Sequence, residues 1–565
     1  MSFEEFARYL QQLEGTSSRL TMTQILAQMW REATPEEAKL MAYLSAGRLG
    51  PAYANPDTGL ADKQVLKAIK LLGGEDAEKI FKTEGDLGKT AERIKQRESG
   101  TKGGKLGIEQ VYKRLLQIAE AGGEGSQEKK IRLLSDLARE ADPVSAKYIV
   151  KIVLGKLRTG FSDMTVLDSL SWMLTGDKKL REEIEGIYNV RADLGEVAEM
   201  IKKHKGVRGL SVDPEVGTPV LVARAERAKS VAEIWERDKE SAAEHKLDGL
   251  RIQGHVKGNK VTLFSRGMEN VTAMYPEITE GLKKQVEAVC ILDGEMIAVD
   301  RRGKYLPFQE TVQRKRKYGI EEMMAIVPLK YYVFDVLSAS GKSYLDEPNS
   351  KRWQKLEEVV KKGEVVRLMP RRIVRSEEEL EEFFQQALAA GTEGVVVKKL
   401  DGVYRSGSRD FNWIKYKKSY DKSALSDTID AVVMGYDAGQ GKRAGFGIGD
   451  FLIGVYEKKT DKYKTVAKIG TGLTDEEWRQ IKDQCSRIKV QDKPENFDVT
   501  KQMACDVWVK PKIVVEILAD EITKSPMHSS GWALRFPRLV SFREKQPEDT
   551  TSIEELNRLF KLQKK

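Results

Sequence analysis

The stretch Lys246-Leu247-Asp248-Gly249-Leu250-Arg251 is the most informative segment of this chain. Lysine can act as a covalent nucleophile when its amine is deprotonated. The glycine behind it permits a close approach of two backbones, and the arginine offers a planar fork of donors. A lysine between acidic neighbours is more often an ordinary surface residue, so the rest of the chain has to decide between the two interpretations.

The composition indicates a globular protein of several domains. The chain has 565 residues, too many for one core, of which 40% are hydrophobic and 32% charged. The acidic, helical N-terminus differs from a signal peptide and no apolar run approaches a membrane span, so we expect a cytoplasmic protein without a membrane partner. The scattered cysteines Cys290, Cys485 and Cys505 argue against a disulfide framework and against a structural zinc site.

The charge balance gives a mild indication of a polyanionic partner. Lysine and arginine number 96 against 87 aspartates and glutamates, a formal net charge of +9. The excess is not concentrated in a basic tail, so nucleic-acid binding would require basic residues to gather on one face of the fold. Charge alone therefore leaves nucleic-acid binding undecided.

The pattern of apolar residues changes twice along the sequence, which predicts three domains. Residues 1–213 repeat apolar residues at helical spacing, for example over 3–13, 22–31 and 127–141. Residues 214–420 mix strand patterns with helices at 275–289 and 376–390, which predicts an α+β domain. Residues 421–565 carry short strand patterns and a glycine-rich loop at 439–449, which predicts a small β-barrel. The predicted strands lie at 261–264, 290–299, 331–337, 394–398, 413–416, 431–435, 451–456, 463–469 and 513–518.

Two motifs in the middle region place polar side chains at strands. Ser265-Arg266-Gly267 ends a predicted strand, where a solvated arginine in a turn is the commoner interpretation. Leu292-Asp293-Gly294-Glu295-Met296 sets two acids within a run of strand residues. A carboxylate at a buried strand needs a cation or a metal, but a hairpin turn explains the segment equally well.

Three further segments carry aromatic or charged residues. Tyr331-Tyr332-Val333-Phe334-Asp335-Val336-Leu337 is most simply a core strand, although Phe334 could present its ring to a planar base. In Glu393-Gly394-Val395-Val396-Val397-Lys398 the odd offset puts the two charges on opposite faces of a strand, so we expect Glu393 at the strand entrance. A basic and aromatic cluster follows, in which Lys415 and Lys417 share one face suited to phosphate oxygens: Tyr404, Gly407, Arg409, Trp413, Lys415 and Lys417.

Together these motifs supply what a nucleotide-binding nucleophile requires. We expect cations around Lys246 to lower its pKa and to hold an anion. Glu295 and Glu393 are hard oxygen ligands that suit Mg²⁺ beside a triphosphate, and Phe334 suits a purine. The candidate cations are Arg251, Arg266, Lys398, Arg409, Lys415 and Lys417.

In their order along the chain, the motifs KLDGLR, SRGMEN, LDGEM, YYVFDVL, EGVVVK and WIKYK resemble the motif series of ATP-dependent DNA ligases. The resemblance is strongest to the long replicative type of archaea and eukaryotes. Residues 18–23 and 155–160 are similar to that family's helical DNA-binding domain, and residues 470–472, 514–516 and 535–538 to its OB-fold domain. The resemblance implies an all-α DNA-binding domain (1–213), an α+β nucleotidyltransferase domain (214–420) and an all-β OB-fold barrel with a C-terminal helix (421–565).

The resemblance also implies a reaction. Lys246 would attack the α-phosphate of ATP and carry AMP, which would pass to the 5′-phosphate of nicked duplex DNA before the 3′-hydroxyl displaces it. Glu244 would face the adenine edge, and Phe334 would stack on the base. Asp248 would assist the later steps. Such an enzyme would act in DNA replication, repair and recombination.

The remaining motif residues would handle phosphates and metal. Arg251 and Arg266 would contact the ribose and phosphates. Glu295 and Glu393 would hold Mg²⁺, with Mn²⁺ as a substitute. The residues that would neutralise phosphate charge in the transition state are Lys398, Arg409 and Lys415.

Two features depart from the family pattern. The segment Phe542-Arg543-Glu544-Lys545-Gln546-Pro547 is one residue shorter than the usual arrangement behind RFPR, which leaves open whether Arg538, Arg543 and Lys545 orient pyrophosphate. The family's sliding-clamp peptide is not found in the sequence, so clamp binding also stays open. The expected partner is nicked duplex DNA, bound by a monomer.

Four alternatives stand beside the DNA ligase hypothesis. An RNA-capping guanylyltransferase shares the core but normally lacks the long helical domain, and an RNA ligase would prefer RNA nicks. An NAD-dependent ligase is expected to carry a four-cysteine zinc site, which three scattered cysteines do not supply. A DNA-binding scaffold with a degenerate core would bind nicks without forming an adenylate.

Overall fold

The computed structural model describes residues 1–16, 18–73, 76–97, 106–157, 159–228, 230–316, 318–417, 428–439, 441–543 and 545–562. Its chain divides into two compact units, residues 1–416 and 417–565. Three points of the sequence analysis lie outside the described residues: Arg158, Glu544 and the predicted boundary at 420/421. The three-domain boundaries therefore stay a prediction.

The N-terminal part of the first unit is all-α, as predicted. Helices over 3–13, 22–31 and 127–141 are confirmed to within a few residues at each end. The α-helices are α1 (Phe3–Glu14), α2 (Arg19–Glu32), α3 (Pro35–Ser45), α4 (Asp62–Gly73), α5 (Asp76–Glu84), α6 (Leu87–Arg97), α7 (Ile108–Glu120), α8 (Ser126–Glu140), α9 (Pro143–Val153), α10 (Asp163–Thr175), α11 (Arg181–Val190) and α12 (Leu194–His204).

Helix α1 shows how local sequence sets these elements. Ser2 caps its N-terminus and forms a reciprocal capping box with Glu5. Phe3, Phe6 and Leu10 recur at helical spacing and are fully buried in the helical core. The cap fixes where the helix begins, and burial of one apolar face holds it in place.

The C-terminal end of α1 carries a buried ion cluster. Lys147 and Lys151 of α9 both pair with Glu14, and their side chains are only 7% and 3% exposed. Tyr148 donates its hydroxyl to the same carboxylate at 2.8 Å. Burial opposes the charge on Glu14, but the hydrogen bonds from Lys151, Lys147 and Tyr148 outweigh burial and lower its pKa to about 2.

We expect Glu14→Gln to lower the free energy of unfolding by about 2 kcal/mol at neutral pH, because it leaves two buried lysines without their shared carboxylate. Glu4→Gln, which breaks the exposed pair with Arg8, is the control and should change the free energy of unfolding little. Because the folded-state pKa of Glu14 is depressed, the difference between wild type and variant should shrink as pH falls from about 4.3 towards 2. Urea unfolding at several pH values measures this, and a difference that grows on acidification would contradict it.

The rest of the first unit is α+β. Its elements are β1 (Arg224–Arg227), α13 (Val231–Arg237), β2 (Ser241–Lys246), β3 (Leu250–Lys257), β4 (Lys260–Ser265), α14 (Pro276–Gln285), β5 (Cys290–Ala298), α15 (Phe308–Val312), α16 (Ile320–Ile326), β6 (Leu329–Ala339), β7 (Lys342–Ser343), α17 (Asn349–Val359), β8 (Val366–Leu368), β9 (Arg371–Val374), α18 (Glu377–Ala389), β10 (Gly394–Lys399) and β11 (Arg409–Lys417).

The strands of this region form two sheets. One sheet has the order β1-β11-β10-β2-β9, and the other has the order β4-β3-β5-β6-β7 with β8 paired to β6. Lys246 ends β2 in the first sheet and Leu250 begins β3 in the second, so the opening motif is the crossover between them. Leu247 lies within this crossover and is buried in an apolar cluster with Phe334 and Trp413.

Two sequence expectations about this region are resolved. The hairpin alternative for residues 292–296 is wrong, because β5 runs unbroken through them with an irregular register opposite β6. Glu393 immediately precedes β10, so its predicted place at a strand entrance is confirmed.

The second unit is strand-rich, as predicted, and its main sheet is curled. The elements are β12 (Ile429–Asp437), β13 (Asp450–Glu457), β14 (Lys462–Ile469), α19 (Asp475–Arg487), β15 (Lys489–Val490), β16 (Phe497–Asp498), β17 (Val507–Val509), β18 (Val514–Leu518), β19 (Glu521–Lys524), β20 (Trp532–Arg535), β21 (Arg538–Arg543) and α20 (Ile553–Leu562). The eight-stranded sheet contains β12 to β18 and β21, with β12 paired to both β13 and β18.

The glycine-rich segment 439–449 was predicted as a loop. It contains a short 3-10 helix, Gly441–Phe446. Arg443 donates to the Gly449 carbonyl at 2.7 Å and lies 5.2 Å from the ring centre of Trp478. These two contacts of Arg443 hold the segment against Trp478 of the second unit.

Candidate active site

A cavity of about 650 Å³ is lined by residues of both sheets in the first unit. This volume falls in the range of small-molecule sites. The crossover motif forms part of its wall. Ten residues have an expected role in the covalent step or in nucleotide or metal binding, and nine of them line the cavity: Glu244, Lys246, Arg251, Arg266, Glu295, Phe334, Lys398, Arg409 and Lys415.

The tenth residue, Glu393, contacts the candidate nucleophile directly. Lys246 Nζ lies 2.7 Å from Glu393 Oε2, and the Glu393 amide donates to the Lys246 carbonyl at 2.9 Å. Strand pairing produces this contact, because Lys246 of β2 is opposite Gly394, the first residue of β10. Glu295 is brought close by the second sheet, where it pairs with Arg251 across β3 and β5.

The electrostatics around Lys246 differ from the expectation. Burial lowers the pKa of the ammonium, but the carboxylates of Glu393 and Glu295 outweigh burial and raise it. The expectation that cations depress this pKa is therefore wrong, because Arg251 and Lys398 are themselves paired with acids. Burial raises the pKa of Glu295 to about 7, against the lowering effects of Lys246 and Arg251. The raised pKa of Lys246 means that its side chain is held as a cation beside Glu393.

Gly249 allows the crossover to lie against β5. A Cβ at this position would be 2.4 Å from the Met296 carbonyl oxygen and 3.0 Å from Glu295 Cγ. Real Cβ atoms do not approach a backbone oxygen so closely, so any side chain here would displace β3 from β5. The close backbone approach predicted for this glycine is thus present.

We expect Gly249→Ala to destabilise the protein by about 2 kcal/mol through overpacking, and to lower transfer of AMP to the protein by at least tenfold because Lys246 and Glu295 move apart. Gly267→Ala is the matched control, since its Cβ would meet only Ser265 Oγ at 3.8 Å. Urea unfolding and labelling with α-labelled ATP measure the two effects. Wild-type values for both in Gly249→Ala would contradict the account.

Glu244 and Lys398 form a buried pair on the cavity wall. Lys398 Nζ lies 2.8 Å from Glu244 Oε2 and donates to the Phe334 carbonyl at 2.9 Å. Both side chains are at most 3% exposed. Lys398 also lies over the rings of Phe334 and Trp413, 4.6 and 4.2 Å from their centres. The positive charge of Lys398 is therefore paired with Glu244. Its predicted role in neutralising phosphate charge stays a prediction.

Arg251 is held by a second buried network. Its Nε and Nη2 donate to Asp293 at 3.1 and 2.6 Å, and Asp293 is fully buried. Tyr404 donates its hydroxyl to Asp293 at 2.7 Å, and Arg251 Nη1 donates to the Ala223 carbonyl at 2.6 Å. The guanidinium thus forms a rigid part of the cavity wall, with most of its donors engaged.

Two other cations on the wall, Arg266 and Arg409, differ from Arg251 and Lys398 in their pairing. Arg266 follows β4 in a turn and Arg409 begins β11, and neither forms an ion pair with any residue that the structure describes. Lys415 lies on β11 and also lines the cavity. This distribution leaves Arg266 and Arg409 as cations available to an anionic ligand.

Two further arginines hold the site together and were not predicted from the sequence. Arg371 of β9 lies 3.4 Å from Glu244, and Arg352 of α17 binds Asp335 through two hydrogen bonds of 2.7 and 3.1 Å. Buried acids at 244 and 335 call for cations. Nothing in the local pattern at 352 or 371 shows which acid each arginine reaches, because they come from separate elements.

The segment behind RFPR uses its basic residues within the second unit. Arg538 pairs with Asp520, Arg543 lies 3.0 Å from Glu516, and Lys545 lies 3.0 Å from Asp430. These three basic residues therefore form ion pairs with acids of their own unit. Within the described part of the chain no helix is long and apolar enough to cross a membrane.

Comparison with known proteins identifies the class. Residues 2–171 match the family model of the DNA ligase N terminus, residues 222–417 that of the ATP dependent DNA ligase domain, and residues 444–546 that of the ATP dependent DNA ligase C terminal region. Helical region, adenylation domain and strand-rich C-terminal region together define a multidomain ATP-dependent ligase.

Relatives over the full length narrow the class to one family. The chain is 42% identical to a probable DNA ligase of Dictyoglomus turgidum, covering 100% of this chain and 98% of the relative, and 36% identical to a DNA ligase of Sulfolobus acidocaldarius, covering 99% and 98%. A solved structure named Pmar-Lig_PreS3 shares the fold, with a TM-score of 0.51 and 16% identity over 96% of this chain and 99% of that one. The chain belongs to the ATP-dependent DNA ligase family, whose members seal nicks in DNA with ATP as the AMP donor.

Proposed function

We propose that this ligase seals nicks through a covalent adenylate on Lys246 Nζ. The observation that carries the proposal is the position of Lys246, on the wall of a nucleotide-sized cavity and 2.7 Å from Glu393. In the first step the N–P bond forms at the α-phosphorus while the bond to the β-phosphate oxygen breaks, and pyrophosphate leaves. Glu393 Oε2 is in place to take the proton that Nζ must lose before attack.

AMP then passes to DNA in two further transfers. The 5′-phosphate oxygen of the nick attacks the lysine-bound phosphorus, which gives a DNA adenylate and frees Lys246. The 3′-hydroxyl then attacks the 5′-phosphorus, the phosphodiester forms and AMP leaves. Asp248, next to the nucleophile in the crossover, is the proposed helper in these two transfers.

The other residues of the cavity have proposed roles that fit their positions. Phe334 supports stacking on adenine, since it is partly covered by Trp413 in an edge contact but still lines the cavity. Glu244 faces the adenine edge. Arg251, Arg266, Lys398, Arg409 and Lys415 provide positive charge for ribose and phosphates.

A divalent cation fits the acidic end of the site. No group of three or more His, Cys, Asp or Glu in the described residues could hold a metal by itself. Glu295 and Glu393 supply two carboxylates, which matches Mg²⁺ sites completed by substrate phosphates and water. We propose that these two residues hold Mg²⁺ or Mn²⁺. The bound ion would neutralise part of the phosphate charge.

The proposed physiological setting follows from the substrate. A single chain supplies every predicted site residue, which supports action as a monomer. The cysteines Cys290, Cys485 and Cys505 are free thiols, which supports a location in the reducing cytoplasm, in association with the nucleoid. We propose general nick sealing in replication, repair and recombination.

Ligation of a labelled nicked duplex with each nucleotide in turn tests the proposed function. ATP should support sealing of a DNA nick, whereas RNA nicks should be sealed poorly and GTP should not cap RNA ends. Sealing that requires NAD, or transfer of GMP to RNA, would contradict it.

A further inference from the structure

Arg371 does not line the cavity itself, but it contacts Glu244, which does. Its Nη1 is 3.4 Å from Glu244 Oε1, and its Nη2 donates to Asn349 Oδ1 at 3.0 Å. The guanidinium also lies 4.3 Å from the ring centre of Trp353. Three separate contacts therefore fix one side chain that is only 6% exposed.

Each carboxylate oxygen of Glu244 contacts a different cation. Lys398 binds Oε2 at 2.8 Å, while Arg371 approaches Oε1. The neighbouring acid, Asp335, is neutralised separately by Arg352, with both side chains fully buried. Arg371 is thus the cation whose main acidic contact is Glu244, and it fixes the direction in which the free lone pairs of this carboxylate point into the cavity.

The direction and charge of Glu244 matter for base choice. Adenine presents an amino donor at the position where guanine presents a carbonyl acceptor. An ionised, fixed carboxylate accepts from the amino group and repels the carbonyl oxygen. Burial raises the pKa of Glu244, and Lys398 and Arg371 oppose that rise without cancelling it, so both cations favour the ionised carboxylate.

We propose that Arg371 is a positioning residue that makes this ligase select adenine over guanine nucleotides by holding Glu244. This inference rests on the proposed use of the cavity for ATP and on the proposed place of Glu244 at the adenine edge. Arg371 makes no contact with the base itself. Its loss frees one carboxylate oxygen to turn, so guanine is rejected less and adenine is bound less well.

The test compares self-adenylation and self-guanylation by the full chain, with α-labelled ATP and α-labelled GTP. For Arg371→Met we expect the ratio of kcat/KM for ATP to that for GTP to fall about tenfold or more, with KM for ATP raised and kcat changed little. Arg372→Met is the matched control: Arg372 is the next residue of β9 and binds Glu382 and Gln386 on the protein surface. It should keep the wild-type ratio.

Arg371→Lys keeps the test decisive if the methionine variant does not fold. Lysine retains the charge but cannot hold Glu244 and Asn349 together, so the ratio should fall about threefold or more. An unchanged ratio in the folded variants, or an equal loss with both nucleotides, would overturn the inference. Equal labelling of the wild type by ATP and GTP would overturn it too, while absence of labelling by ATP would instead overturn the proposed function.

Discussion

Lys246→Ala is expected to abolish the transfer of AMP from ATP to the protein, a loss on the order of 10⁴-fold or more. The reason is that only Nζ of this residue carries the phosphoramidate in the proposed reaction. Folding should survive, because the side chain is partly exposed and pairs only at the cavity wall. Labelling with α-labelled ATP in a rapid-quench assay measures the effect.

Two comparisons sharpen this prediction. Lys260→Ala alters an exposed lysine at the start of β4 and should label like the wild type. Lys246→Ala should still seal a nick that already carries a 5′-adenylate, at a reduced rate, because that substrate bypasses the covalent step. Labelling of Lys246→Ala at the wild-type level would refute the nucleophile assignment.

Asp293→Asn is expected to produce the largest loss of stability, about 3 kcal/mol, because it leaves the Arg251 guanidinium buried without its carboxylate. Asp293 is fully buried, and its two carboxylate oxygens both accept hydrogen bonds from Arg251. Self-adenylation should fall at least tenfold even where the variant is folded, since Arg251 no longer forms a fixed wall of the nucleotide cavity.

Tyr404→Phe provides the graded comparison for Asp293→Asn. It removes the hydrogen bond to Asp293 and the acceptor of the Ala223 amide, but leaves the ion pair intact. We therefore expect a smaller loss than in Asp293→Asn, about 2 kcal/mol, with self-adenylation close to normal. Urea unfolding monitored by tryptophan fluorescence gives both values. A larger loss in Tyr404→Phe than in Asp293→Asn would show that the ion pair does not stabilise this wall.

The sequence was sufficient to predict features that depend on local pattern. Helical spacing located α1, α2 and α8, and the odd offset in residues 393–398 placed Glu393 before β10. The ordered motifs also brought nine of ten candidate residues to one cavity. Each of these predictions needs only periodicity, or a series of short motifs whose order is specific.

What the sequence could not predict are contacts between distant segments. Whether Arg251 faces a phosphate or Asp293 depends on the register of β3 against β5, and Arg371 reaches Glu244 only because β9 pairs with β2. The pKa of Lys246 was expected to be lowered because its cationic neighbours are visible in the sequence. Their pairing with acids, which leaves Glu393 and Glu295 to raise that pKa, appears only in three dimensions.

The identity of the adenylated atom is the most direct test of the central claim. The wild-type protein would be incubated with ATP and a divalent cation, digested under conditions that preserve phosphoramidates, and analysed by mass spectrometry. We expect one AMP per chain, attached to Lys246 Nζ, labile to acid and lost on addition of nicked DNA. AMP attached to another residue, or sealing of nicks by a protein that never carries AMP, would contradict it.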